Sequence, residues 1–220
     1  MKEKVISLLG IIALVSFCSV FSCNTKELSS PENPNQKKLL DGNRRFVEGK
    51  MSHPDQAAIR RTELAKSQNP FAVIVSCSDS RVPPEVLFDQ GLGDLFVIRL
   101  AGNILNDAAI GSIEYAVDHL GAKYVMVLGH ERCGAVEATV KGGEPHGHIG
   151  SLVKAIQPAV DKAKTQEGDL VDNAVNANVS MVVQQLKTSA PILEESVKKG
   201  SLVIVGARYD LDDGSVSILP

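Results

Sequence analysis

Three residues of this 220-residue chain have types and spacing suited to holding a metal ion: Cys77, His130 and Cys133. Each group follows an apolar run. Residues 71–76 (FAVIVS) lead into Cys77, and residues 124–128 (YVMVL) lead into GHERCG at 129–134, where His130 stands three positions before Cys133. Short apolar runs that stop abruptly at small and polar residues suit buried parallel strands. Ligands bind just beyond the carboxyl ends of such strands in open α/β sheets. Two thiolates and one imidazole form a zinc-type donor set, and three protein ligands leave the fourth tetrahedral position to water, which is the catalytic pattern. Such a water can lose its proton near neutral pH and become a nucleophile.

Charge sets the next requirement. Two thiolates already cancel a divalent cation, so further positive charge is expected nearby. Arg81 is the obvious source, always charged and able to grip a carboxylate through two hydrogen bonds. Asp79 lies two residues from both Cys77 and Arg81. Paired with arginine it stays ionised, and it can either accept a hydrogen bond from metal-held water or swing onto the metal as a fourth ligand. Two simpler readings compete. The cysteines of an exported protein can form a disulfide, which leaves His130 and the Asp79–Arg81 pair without a role. A structural zinc site needs a fixed fourth ligand, for which Asp79 is the candidate.

The elements that must position these residues alternate in type. Strands are expected at 71–76, 94–100, 124–128 and 202–207, with a terminal edge strand at 215–219 after the Asp212-Asp213-Gly214 turn. Helical patterns occupy most of 36–68 in two segments, a short turn after Pro83-Pro84, and 107–120, 135–140, 152–164, 169–186 and 191–199. Strands separated by helices imply a parallel sheet with right-handed crossovers. The expectation is a single α/β domain: a central, mostly parallel sheet of four strands plus an antiparallel edge strand, flanked by helices, with an N-terminal helical arm.

The N-terminal residues read as a targeting signal. Lys2 and Lys4 precede an apolar stretch from Val5 to Val20, too short to be a comfortable membrane span, and Ser22-Cys23 is followed by polar Asn24-Thr25-Lys26. This resembles a bacterial lipoprotein signal in which Cys23 becomes the lipidated N-terminus; plain secretion is the alternative. The expected organisation is a signal at 1–22, a flexible Pro-containing linker at 23–35 and a catalytic domain at 36–220, exported to the cell envelope or periplasm and anchored to the membrane only through Cys23. A net charge of -3 without a basic block argues against a nucleic-acid partner.

The strings CSDSRVP at 77–83 and GHERCGAV at 129–136 resemble the two signatures of the β-class carbonic anhydrases. FDQGLGDLFVIRLAGN at 88–103 and SIEYAVDHLGAKYVMVLGH at 112–130 are similar to the same family. The resemblance implies reversible hydration of CO2 to bicarbonate and a proton by attack of zinc-bound hydroxide. It places the zinc ligands at Cys77, His130 and Cys133 and the Asp–Arg dyad at Asp79 and Arg81. It gives Gln68 a hydrogen bond to substrate or product and Gly134 a backbone N–H facing the pocket. Phe96, Ala101 and Tyr115 match positions that line an apolar cleft for CO2. It further implies a homodimer, or a tetramer, built through the N-terminal helices and the sheet. Arg99 and Tyr115 match part of a second, inhibitory bicarbonate site, but Ile74 replaces its tryptophan, which favours an open resting site. A hydrolase of CS2 or COS on the same scaffold and a non-catalytic zinc or redox envelope protein are the competing functions.

Overall fold

The sheet brings the two candidate segments side by side. In this computed structural model, which describes residues 33–220, five strands lie in the order β2-β1-β3-β4-β5. They are β1 (Ala72–Ser76), β2 (Leu95–Arg99), β3 (Tyr124–His130), β4 (Val203–Tyr209) and β5 (Val216–Ile218). The first four run parallel and β5 pairs antiparallel with β4, with Ala207 opposite Ile218. This is the sheet the alternating pattern predicts. The chain passes from β1 outward to β2, then returns across β1 to β3. The gap between β1 and β3 is therefore the topological switch point, where open α/β sheets form their ligand crevice. Cys77 leaves one side of that gap, and His130 and Cys133 leave the other.

Eight helices among the described residues cover the sheet: α1 (Pro34–Val47), α2 (Ala58–Leu64), α3 (Pro84–Leu87), α4 (Asp107–Asp118), α5 (Gly134–Lys141), α6 (Ile149–Ala163), α7 (Leu170–Lys187) and α8 (Ile192–Lys198). Successive strand residues point to opposite faces. Val73, Val75, Val125 and Val127 accordingly share one apolar cluster with Ile113 of α4, Val182 of α7 and Leu193 of α8. Ala72, Ile74, Tyr124, Met126 and Leu128 share the other with Leu39 of α1 and Leu87 of α3. Helix α7 approaches the sheet unusually closely. A Cβ on Gly129 would lie 2.5 Å from Val179 Cγ2, and one on Gly206 would lie 2.8 Å from Val179 Cγ1. Glycine on two adjacent strands thus makes the groove that seats Val179.

Two boundaries differ from the sequence expectation. The expected signal at 1–22, Cys23 and most of the linker lie outside the described residues. The last part of that linker, however, is helical. Asn33 caps α1, its side-chain oxygen accepting from the N–H groups of Asn35 at 2.9 Å and Gln36 at 3.3 Å, and Pro34 occupies the first turn, where its missing N–H costs nothing. The second difference bears on the site. His130 ends β3 instead of standing in the turn after it, because β4 continues to Tyr209 and keeps pairing, with Gly129 opposite Arg208 and His130 opposite Tyr209. His130 is thereby held by a sheet ladder, and Glu131 N–H extends it by donating to the Tyr209 carbonyl at 3.1 Å.

Candidate metal centre

Cys77, His130 and Cys133 converge at the switch point. Their donor atoms lie within 4.8 Å of one another. All three residues are buried, His130 completely so. The two cysteines sit in a third apolar cluster with Ile104, Val136, Ile156, Val160 and Val175. Among the described residues both cysteines are free thiols, so the disulfide reading does not describe this arrangement.

The imidazole tests whether a cation fits. His130 Nδ1 lies 2.8 Å from the Glu131 carbonyl oxygen, which can only accept, so Nδ1 carries the proton. In the neutral imidazole Nε2 then keeps a lone pair, buried and without a hydrogen-bond partner among the described residues. A buried polar atom left unsatisfied costs about 1–3 kcal/mol. A cation held between that nitrogen and two sulfurs removes the cost, and the donors are those zinc prefers. Metal-ligating histidines ordinarily donate their second nitrogen to a carbonyl in this way.

The two sulfurs are unlike. Cys77 is held well below the ordinary thiol range, first by the hydrogen bond from the Cys133 thiol, against burial, with Gly102 N–H at 3.2 Å from its Sγ adding to the effect. Cys133 is pushed up by the proton it gives to Cys77 and by burial. The N–H groups of Val136 and Ala135, at the start of α5, act in the opposite direction on Cys133. A divalent cation held here would take both sulfurs as thiolates.

Asp79 and Arg81 stand beside this group. Arg81 Nε donates to Asp79 Oδ1 at 2.9 Å, its Nη2 to Oδ2 at 2.7 Å, and its own backbone N–H to Oδ1 at 2.9 Å. The guanidinium holds the Asp79 carboxyl down to about 2. Asp79 Oδ2 is 3.8 Å from His130 Nε2, next to the three donors.

Flanking contacts lock both loops. Arg99 Nε donates to the Cys77 carbonyl at 2.9 Å, and its Nη2 to the Asp79 carbonyl at 2.6 Å. Sequence reasoning gave Arg99 no such part, because only the register, with Ser76 opposite Arg99, carries it to the Cys77 loop. On the other side, buried Glu131 accepts from Leu211 N–H at 2.7 Å, Arg132 at 2.8 Å and Arg208 at 3.3 Å. Arg132, held in the left-handed region at φ 49°, is also paired to Asp212 at 2.6 Å. The segment between His130 and Cys133 is thus tied to the end of β4.

The expected pocket residues divide into two groups. Ala101, in the 3-10 turn Ala101–Asn103, precedes the Gly102 N–H that reaches Cys77, and Gly134 follows Cys133 as the first residue of α5. Gln68, Phe96 and Tyr115 lie elsewhere in this chain. Phe96 pairs with Val73, four residues before Cys77, a rise of roughly 13 Å along a strand. Gln68 precedes β1 altogether. Gln68 and Tyr115 share a separate cleft of about 630 Å³ with Leu64, Gly93 and His119.

Comparison with known proteins points one way. The family model described as "Carbonic anhydrase" matches residues 72–216. Carbonic anhydrase 2 of Mycobacterium tuberculosis is 43% identical over 182 residues, covering 81% of this chain and 88% of that protein. A Coccomyxa β-carbonic anhydrase solved in complex with acetazolamide superposes with a TM-score of 0.65 at 29% identity, covering 85% of this chain and 87% of that one. A tetrameric β-carbonic anhydrase from the ascomycete Sordaria macrospora gives a TM-score of 0.66 at 25% identity, covering 85% and 98%.

Proposed function

The chain belongs to the β-class carbonic anhydrase family, and on that footing we infer that it catalyses the reversible hydration of CO2 to bicarbonate and a proton. One observation carries the reading: a buried His130 nitrogen without a partner among the described residues, within 4.8 Å of two free thiols and beside an arginine-held carboxylate. Cys77, His130 and Cys133 would hold the zinc ion of the family. Zinc held there supplies the Lewis acidity that makes water a nucleophile near neutral pH.

The chain's own residues supply orientation and charge. Asp79 accepts hydrogen bonds and keeps its negative charge, since both oxygens are engaged by Arg81. A carboxylate so placed accepts a hydrogen bond from the attacking water and turns the water's lone pair toward CO2. With a carboxyl held near 2, it is a poor acceptor of the proton itself. Asp79 is therefore an orienting group, and the proton leaves to buffer. Arg81 fixes Asp79 and donates more distantly to the Arg132 carbonyl at 3.4 Å, bridging the two metal-bearing loops. Its cation, with Arg99 on the Cys77 and Asp79 carbonyls, offsets the charge of two thiolates. Ala101 and Gly134 flank the open side, where a small uncharged substrate needs only an apolar surface and one N–H. We read Asp79 as held off the metal by Arg81 in the resting site.

Assembly and location extend the proposal. The Sordaria relative is tetrameric, and Gln68, Phe96 and Tyr115 lie far from Cys77 of their own chain. A homodimer or tetramer in which they complete a neighbouring subunit's pocket accounts for both. The lysine-led apolar segment and Ser22-Cys23 support export to the cell envelope, with a lipid on Cys23 as the membrane anchor.

Three outcomes are expected. Arg81→Ala and Asp79→Asn retain one zinc per chain but lower kcat/KM for CO2 by about 100-fold or more in stopped-flow assays; unchanged hydration by Arg81→Ala contradicts the dyad's role. Sedimentation velocity at assay concentration gives a dimer or larger species, and a fully active monomer contradicts a shared pocket. In envelope fractions the wild-type chain sediments with membranes and Cys23→Ala is released; equal membrane association of both contradicts lipidation.

A further inference from the structure

A fully buried asparagine stands behind the metal centre on a helix that contributes no ligand. Along α7 the inward stripe runs Ala174, Val175, Asn178, Val179 and Val182, small and aliphatic except for Asn178. Asn178 is 0% exposed. Its Nδ2 donates to the Gly102 carbonyl at 2.8 Å, across 76 positions of sequence, while its Oδ1 is buried without a partner among the described residues. The amide orientation follows from chemistry, because only the nitrogen can donate to a carbonyl. An amide with an orphaned oxygen in an apolar layer is a poor choice for stability alone.

What it grips is the residue that touches Cys77. Gly102 adopts φ 70°, ψ 22°, and its N–H is 3.2 Å from Cys77 Sγ. A Cβ here would lie 2.7 Å from Ile156 Cδ1 and 3.2 Å from Ala135 Cβ, so the turn lies flush against α5 and α6 and has no room for a side chain. Glycine brings torsional freedom with it. The N–H that must meet the sulfur and the carbonyl held by Asn178 flank the same Cα, so holding one restrains the other.

We propose that Asn178 is a positioning residue of the metal centre: by holding the Gly102 carbonyl it aims the Gly102 N–H at Cys77 Sγ and so limits how much charge that sulfur gives the metal. The proposal rests on Cys77 being a zinc ligand. An N–H···S bond withdraws density from a thiolate. In a centre with two thiolates this preserves Lewis acidity that the sulfurs otherwise diminish. Hydrogen-bonding partners behind metal ligands commonly govern metal affinity by 10- to 100-fold.

The test compares wild type, Asn178→Leu, Asn178→Ala and the control Val182→Ala, which removes buried volume one helical turn further along α7. Each is loaded with Co²⁺ to read the sulfur-to-metal charge-transfer absorption, and titrated with zinc against a chelator. Both Asn178 variants are expected to move the band to longer wavelength and to change the zinc Kd roughly 10-fold or more. Val182→Ala is expected to lower the thermal midpoint while leaving band and Kd at wild-type values. Asn178 variants with wild-type band and Kd, or with changes that Val182→Ala matches, overturn the proposal. Should Asn178→Leu fail to fold, Asn178→Ala and amide exchange in the wild type still decide: the Gly102 N–H is expected to be protected, and free exchange in the folded protein overturns the assignment. A wild-type chain with no charge-transfer band removes the metal centre itself, a failure distinct from that of Asn178.

Discussion

Two buried sulfurs and a bare imidazole nitrogen within 4.8 Å of one another are satisfied together by a cation. That constraint organises the rest of the structure. It explains why free thiols lie inside an apolar cluster of an otherwise ordinary aliphatic core. It explains why His130 spends its Nδ1 proton on a neighbouring carbonyl. The sheet order meets the constraint with little machinery: putting β1 beside β3 brings the two ligand-bearing ends together without a long loop. Both parts come off buried strands, so the donors inherit the rigidity of the ladder.

Charge is then distributed in layers outward from the sulfurs. Backbone N–H groups of Gly102 and of the start of α5 face the thiolates. Arg99 draws on the carbonyls of Cys77 and Asp79, and Arg81 holds the Asp79 carboxylate with two side-chain bonds. Glu131 anchors the opposite loop through three donors from the end of β4 and from Arg132. Exposed ion pairs in this shell such as Arg132–Asp212 contribute little alone. Their common effect is geometric: the short segments carrying Cys77, Asp79, His130 and Cys133 have few ways to move. A site that orients a small uncharged substrate beside a nucleophile depends on such fixity more than on binding energy.

Much of this was legible in the residues. Apolar runs with sharp polar ends located four strands, and the position of Cys77, His130 and Cys133 just past two of them gave the metal group. Two charged residues at a spacing of two gave the dyad. Other features depended on pairing that no local pattern encodes. The extension of β3 to His130 comes from β4 running alongside it, not from hydrophobicity in GHERCG. Arg99 acquires its contacts only through the register of β2 on β1. Asn178 carried a faint signal, a polar residue in the apolar stripe of α7, but nothing in the sequence says that it faces Gly102. Gln68, Phe96 and Tyr115 show the converse limit: family likeness groups them with the metal ligands, whereas within one chain Phe96 lies a strand length away along β1 and Gln68 and Tyr115 share another cleft.

The central claim is that Cys77, His130 and Cys133 together hold one zinc ion that takes a small ligand at its remaining position. X-ray absorption at the zinc edge of the purified protein reads this directly. The account predicts one zinc per chain with two sulfur neighbours at about 2.3 Å and two nitrogen or oxygen neighbours at about 2.0–2.1 Å, one of which is lost in His130→Ala. A zinc-free chain that hydrates CO2 normally, or a zinc shell without sulfur, would contradict it.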